Sequence, residues 1–230
     1  MEQKSYSVKY VISELKKRGS QYNREGMARY GINVETAFGV GAPAKYALAK
    51  RLGKNHDLAL KLWDSGYHDA RHIAGLIDEP ALVTKSQMNN WVKDFNSWDI
   101  CDGTCNNLFR KTPYAFDKVF EWVKRKEEFV RRAGFVLIAV LAVHDKKRPD
   151  EDFILFFPLI KEYSSDERNF VKKAVNWSLR QIGKRSQFLN ELAINLCEEI
   201  KNIDSKSAKW IAADALRELK NPKLNIRKRM

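Results

Sequence analysis

The sequence predicts an all-α chain of stacked antiparallel helix pairs, a superhelical repeat solenoid, and three observations carry that expectation. Apolar residues recur with the helical period along nearly the whole chain, and no segment alternates convincingly as a strand would. Breakers are sparse, with 6 Pro and 11 Gly among 230 residues, while hydrophobic residues reach 44% and exclude a disordered chain. The pattern Phe129-Val130-Arg131-Arg132-Ala133 returns 41 residues later as Phe170-Val171-Lys172-Lys173-Ala174, with a looser third copy around Lys209-Trp210-Ile211-Ala212.

That interval falls in the ~40–47 residue period of two-helix HEAT or armadillo units, in which a helix pair buries its apolar face only when a neighbour stacks on it. Residues 1–230 are read as one such domain. The first helix carries Val8, Val11, Ile12 and Leu15 on one face and ends in Lys16, Lys17 and Arg18, where cations meet the negative end of the helix dipole. Breaks are expected at Gly39 to Pro43, Gly53 to Asn55, Asp64 to Gly66, Glu79-Pro80, Thr112-Pro113, Asp145 to Asp150, Ser164 to Asp166, Gly183 to Ser186 and Asn202 to Ser205. They divide the chain into roughly a dozen helices, with Asp166 and Ser205 as candidate N-caps and Pro43, Pro80 and Pro113 at helix entries.

The longest apolar run, Ala133 to Val143, falls well short of the ~20 residues of a membrane span and reads as a buried helix. Three cysteines, an odd number, and a polar start at Met1-Glu2-Gln3-Lys4-Ser5 point to a reducing compartment, the cytoplasm.

Charge directs attention to a polyanion. Lys plus Arg number 42 against 29 Asp plus Glu, a formal net charge of +13, and nucleic acid ranks ahead of an anionic membrane as the partner. In a solenoid the inner helices project matching positions onto one concave face, so Arg131, Arg132, Lys172, Lys173, Arg180, Lys184 and Arg185 are expected as a phosphate-binding stripe with steep salt dependence; about half of them are expected to matter, the rest being a solvated helix face.

Two smaller patterns bear on chemistry. His68-Asp69-Ala70-Arg71-His72 sets two imidazoles at i and i+4, as on a zinc-protease helix, yet no third ligand is evident and an ordinary polar face is the expectation. Cys101 and Cys105 share that spacing and are expected to be buried thiols. Trp63, Trp91, Trp122 and Trp210 are assigned to packing.

Trp98-Asp99-Ile100-Cys101-Asp102, then Phe129-Val130-Arg131-Arg132-Ala133, then Lys172-Lys173-Ala174-Val175-Asn176-Trp177-Ser178-Leu179-Arg180 together resemble the signature of the HEAT-like-repeat alkylpurine DNA glycosylases, the AlkD family. The resemblance covers most of the chain. It implies an all-α solenoid wrapping duplex DNA on a concave basic face, and excision of cationic N3- and N7-alkylated purines without metal or cofactor; a monomer is expected. Asp102 takes the place of the catalytic carboxylate, Trp98 and Trp177 flank the lesion, and Arg132 holds the adjacent phosphate. The stretch Gly39-Val40-Gly41-Ala42-Pro43-Ala44-Lys45-Tyr46 stands where the family has a Gly-x-x-Thr-Pro-x-x-Arg-like segment, with Lys45 as its cation, and Ser97 stands where the family has an aromatic.

These residue types suit that chemistry. A cationic base leaves without prior protonation, so one carboxylate stabilising an oxocarbenium-like sugar and positioning water suffices. Indole faces attract the cationic base. The alternatives are an Asp102 that merely caps a helix near Gly103, a non-catalytic solenoid binding branched or damaged DNA, and a protein-binding scaffold.

Overall fold

A computed structural model describes residues 6–221 together with 223 and 226, and the polar start at Met1 to Ser5 lies outside them. Among the described residues every regular element is helical. They group into two compact units, Met1–Pro113 and Tyr114–Met230.

The first unit contains α1 (Val8–Arg18), α2 (Gln21–Arg29), α3 (Ala42–Leu52), α4 (His56–Asp64), α5 (His68–Ile77), α6 (Lys85–Lys93), α7 (Trp98–Asn107) and a 3-10 turn at Phe109–Lys111. The second contains α8 (Ala115–Trp122), α9 (Glu128–His144), α10 (Glu151–Ile154), α11 (Phe157–Tyr163), α12 (Asn169–Gly183), α13 (Gln187–Lys201) and α14 (Lys206–Leu219). Each break expected from the sequence falls between helices or at a helix end. Ser7, Ser20, Asn55, Thr84, Ser186 and Ser205 accept a hydrogen bond from an amide in the first turn they precede, which meets a donor the helix cannot satisfy internally. Pro43 sits in the first turn of α3, where its missing N–H costs nothing. Asp166 is not an N-cap: Arg168 precedes α12, and the Asp166 carboxylate accepts from the Arg168 amide at 3.1 Å.

Repeat packing is visible in both units, each taken by itself. In the second, α9 lies along α12 and α12 along α14, and the matching Phe129 and Phe170 rings meet at 5.4 Å. Side chains bridge equivalent points of successive pairs: Asn176 Nδ2 donates to Asp214 at 2.6 Å and Arg180 Nη1 to Glu218 at 2.6 Å, each across 38 residues. In the first unit α5 packs on α3, α4 and α7, and the bridging interval shortens to 31 residues. There the Phe38 amide donates to Asp69 at 2.7 Å and the Trp63 indole to Asp94 at 2.8 Å. This repeat is shorter than the 41-residue interval read from Phe129 and Phe170, because α5 and α7 are 10 residues each whereas α9 has 17.

The cores follow the apolar pattern. Val11 and Leu15 anchor α1, and Ala133 to Ala142 are all buried within α9. Trp63 and Trp91 stack face to face at 4.0 Å, and Trp122 is buried in α8. Trp210 departs from its assignment to packing: it is 39% exposed, with the Lys172 ammonium 5.5 Å from its ring. No helix among the described residues is long and apolar enough to cross a membrane.

Candidate functional site

Helix α7 follows directly from an extended Ser97, so Trp98 opens its first turn and Asp102 lies one turn further on. The spacing i, i+4 puts both on one face, and each is partly exposed. Ile100, Cys101, Thr104 and Cys105 hold the buried side, which confirms the thiols as small core residues. Asp102 therefore stands inside a helix that runs to Asn107 and does not cap it. The Trp98 indole N–H donates to the Tyr30 carbonyl at 3.0 Å, which fixes the ring orientation against α2.

Trp98 forms part of the wall of a cleft of about 580 Å³ in the first unit, with Tyr30, Tyr46, Lys45, His72 and Asp99 among the other walls. Lys45 is 9% exposed and its ammonium lies 3.8 Å from Asp69. Burial pulls the Lys45 amine below its ordinary value, an effect that Asp69 and Asp99 only partly offset. Asp69 has no exposure and caps the loop before α3, accepting from the Phe38 and Val40 amides at 2.7 and 3.1 Å. It stands where a zinc protease has its general base, and these bonds commit it to structure instead.

Asp99, one residue after Trp98, receives donors from three side chains. Ser97 Oγ donates to Oδ1 at 2.9 Å, His72 Nε2 lies 3.0 Å from Oδ2, and His68 Nε2 spans both oxygens, 3.2 Å from Oδ1 and 3.0 Å from Oδ2. Burial pushes the Asp99 carboxyl up, but the two imidazoles outweigh it and hold the group well below the usual carboxylate range. For His72, burial is the largest influence and lowers its basicity despite Asp99. The third partner that the His68 and His72 spacing lacked is thus supplied one repeat later. Its sequence signal was the recurrence of His68-Asp69 and His72 as Trp98-Asp99 and Asp102, each 30 positions on.

The other expected site residues belong to the second unit. Arg132 is 6% exposed, and its Nη1 donates to the Phe170 carbonyl at 2.6 Å. Trp177 is half-buried on α12. Arg131 donates to the Val123 carbonyl, pairs with Asp166 at 2.7 Å, and lies 4.5 Å from the Tyr163 ring centroid. Arg180 and Lys184 share Glu218 at 2.6 and 2.5 Å. Lys172 stands over Trp210, and Lys173 is exposed. Arg185 is 3% exposed and bonded to Asp150 at 2.9 Å. Several cations of the expected stripe therefore carry carboxylate partners within the protein.

The sequence model of the DNA alkylation repair enzyme family matches residues 11–219. An uncharacterised protein of Listeria innocua serovar 6a is 22% identical over 175 residues, 76% of this chain and 73% of that protein. A solved structure described as a new family of proteins related to the HEAT-like repeat DNA glycosylases, with affinity for branched DNA structures, superposes with a TM-score of 0.81. It is 21% identical and covers 98% of this chain and 99% of its own, so what it shares with this chain is the HEAT-like-repeat fold.

Proposed function

Because the chain belongs to the DNA alkylation repair enzyme family, we propose that it hydrolyses the N-glycosidic bond of cationic N3- and N7-alkylated purines in duplex DNA. The observation that carries this reading is the pairing of a partly exposed indole and a partly exposed carboxylate, Trp98 and Asp102, one turn apart on one face of α7.

In this reading Asp102 faces the sugar of the lesion. As the bond to the base breaks, positive charge develops on the deoxyribose, and a fixed carboxylate stabilises that charge more than it does the neutral ground state. The same group orients the attacking water. The base leaves as a neutral purine because it entered as a cation, so no general acid is required. Trp98 offers its ring face to the cationic base, contributing ~0.5–2 kcal/mol.

Phosphate binding falls first to Lys172 and Lys173. Arg132 is anchored through Phe170, so a phosphate must enter a depression to meet it. Arg131, Arg180 and Lys184 would add to the field while keeping their carboxylates, and Lys45 would contribute from the cleft wall. The protein acts as a monomer in the cytoplasm.

A second reading has one observation of its own, the fold shared with proteins described by their affinity for branched DNA. It keeps the basic surface and drops the chemistry. Single-turnover base release by the Asp102→Asn variant separates the two roles of α7. The variant removes charge with little change in volume, so folding and DNA binding should persist while the rate falls at least about a hundred-fold, in line with the loss of one electrostatic stabiliser. Equal rates for variant and wild type would remove Asp102 from the mechanism.

A further inference from the structure

We propose that His68, His72 and Asp99 form a binding site for a divalent transition metal, Zn²⁺ by donor set, that joins α5 to α7. The site is independent of the glycosylase reading. Its donor atoms, two imidazole nitrogens and a carboxylate oxygen, all lie within 4.8 Å of one another.

Two imidazoles and one carboxylate from two helices converge at this point. Both rings present the same nitrogen, Nε2, to the Asp99 carboxylate: His72 to Oδ2 at 3.0 Å, and His68 to both oxygens, Oδ2 at 3.0 Å and Oδ1 at 3.2 Å. Two imidazole lone pairs and a carboxylate oxygen converging on one point is also the arrangement that binds a cation. Ligands at ~2.0–2.2 Å around a tetrahedral centre stand about 3.3 Å apart, so the two separations from Oδ2 need to open by only a few tenths of an ångström.

The carboxylate ligand is supported from behind. Ser97 Oγ donates to Oδ1 at 2.9 Å and helps fix the direction of the carboxylate. The i, i+4 spacing of His68 and His72 on α5 sets the two imidazoles one turn apart, with ring centroids 4.9 Å from each other. Gly103 lets α7 approach: a Cβ there would meet the His72 ring at 3.4 Å. His68 is buried, while His72 and Asp99 line the cleft beside Trp98, so an ion enters from that side and keeps a position open to water. Local charge favours a cation, since Asp69 and Asp99 together outweigh Lys45. Two His and one carboxylate with an open position is a donor set taken by Zn²⁺ and by non-haem Fe²⁺.

The test uses the full chain, stripped with a chelator and titrated with Zn²⁺ by calorimetry, with Co²⁺ absorption reporting the ligand field. One ion per chain is expected. His68→Gln, His72→Gln and Asp99→Asn should each weaken binding at least about ten-fold, the lower end of what loss of even a supporting shell produces. His56→Gln should leave binding unchanged, because His56 is occupied by Asp78 at 2.6 Å outside the cluster. Long-range proton–nitrogen NMR of the wild type needs no variant: Zn²⁺ should shift the Nε2 signals of His68 and His72 and leave those of His56 and His144 in place. Absence of saturable binding, undiminished binding by the three variants, or shifts confined to His56 or His144 would each overturn the proposal.

Discussion

Replacing Arg185 with Ala separates a structural cation from a DNA-binding one, and the structure sets the size of the effect. Arg185 belongs to the stripe of basic residues that the repeat pattern suggests, yet its side chain is 4% exposed. Nε donates to Asp150 at 2.9 Å, Nη1 to the Ala142 carbonyl at 3.1 Å and Nη2 to the Arg148 carbonyl at 2.6 Å, while the guanidinium lies 4.2 Å from the Phe153 ring centroid. The variant strips Asp150, itself 7% exposed, of its guanidinium and leaves two carbonyls short of a donor. Removing one member of a buried ion pair costs ~3–5 kcal/mol, a large part of the ~5–15 kcal/mol that holds a typical domain. With a urea m-value of ~2 kcal/mol/M, the unfolding midpoint should fall by about 2 M without a change in slope. Adding Asp150→Asn should recover at least about 1 kcal/mol, because a neutral amide is cheaper to bury than a carboxylate that has lost its guanidinium. A loss below about 1 kcal/mol, or weakened DNA binding at an unchanged midpoint, would refute this assignment and return Arg185 to the phosphate stripe.

Other consequences are equally direct. Lys172→Ala with Lys173→Ala should lower the slope of log affinity against log salt by roughly 2 on duplex DNA, measured by anisotropy, and an unchanged slope would move the phosphate contacts elsewhere. Gly134→Ala should destabilise by about 1–3 kcal/mol in denaturant melts despite the better helix propensity of Ala, because the new Cβ would sit 2.8 Å from the Val123 backbone nitrogen. Asp166 is raised by burial but lowered more by Arg168 and Arg131, so its folded value lies below the unfolded one of about 3.9. Its contribution is therefore present above that pH and lost as pH falls through the folded value; Asp166→Asn should flatten the acid limb of a stability profile, and an unaltered limb would contradict the assignment.

Much of the fold was legible because it rests on local signals. Helical periodicity, the Gly and Pro breaks and the Ser205 cap each act within a few residues, and the Phe129 and Phe170 repeat gave the stacking of α9 on α12. What the sequence left open depends on register between repeats. The pairing of Asp166 with Arg131 and Arg168 replaced an expected N-cap, and Glu218 met Arg180 and Lys184 across more than 30 residues. The same holds for the candidate site. Trp98 and Asp102 could be placed on one helical face by counting, but the meeting of Asp99 with His68 and His72 required knowing how α7 lies on α5. Trp210 was assigned to the core by residue type, and its exposure beneath Lys172 follows from its position on α14.

Release of free base from methylated duplex DNA tests the proposed cleavage of the glycosidic bond most directly. With enzyme in excess, the wild type should liberate 7-methylguanine and 3-methyladenine and leave abasic sites with the strand intact. No base release, together with tight and salt-sensitive binding to a four-way junction, would contradict the claim and leave a DNA-binding protein built on the same repeats.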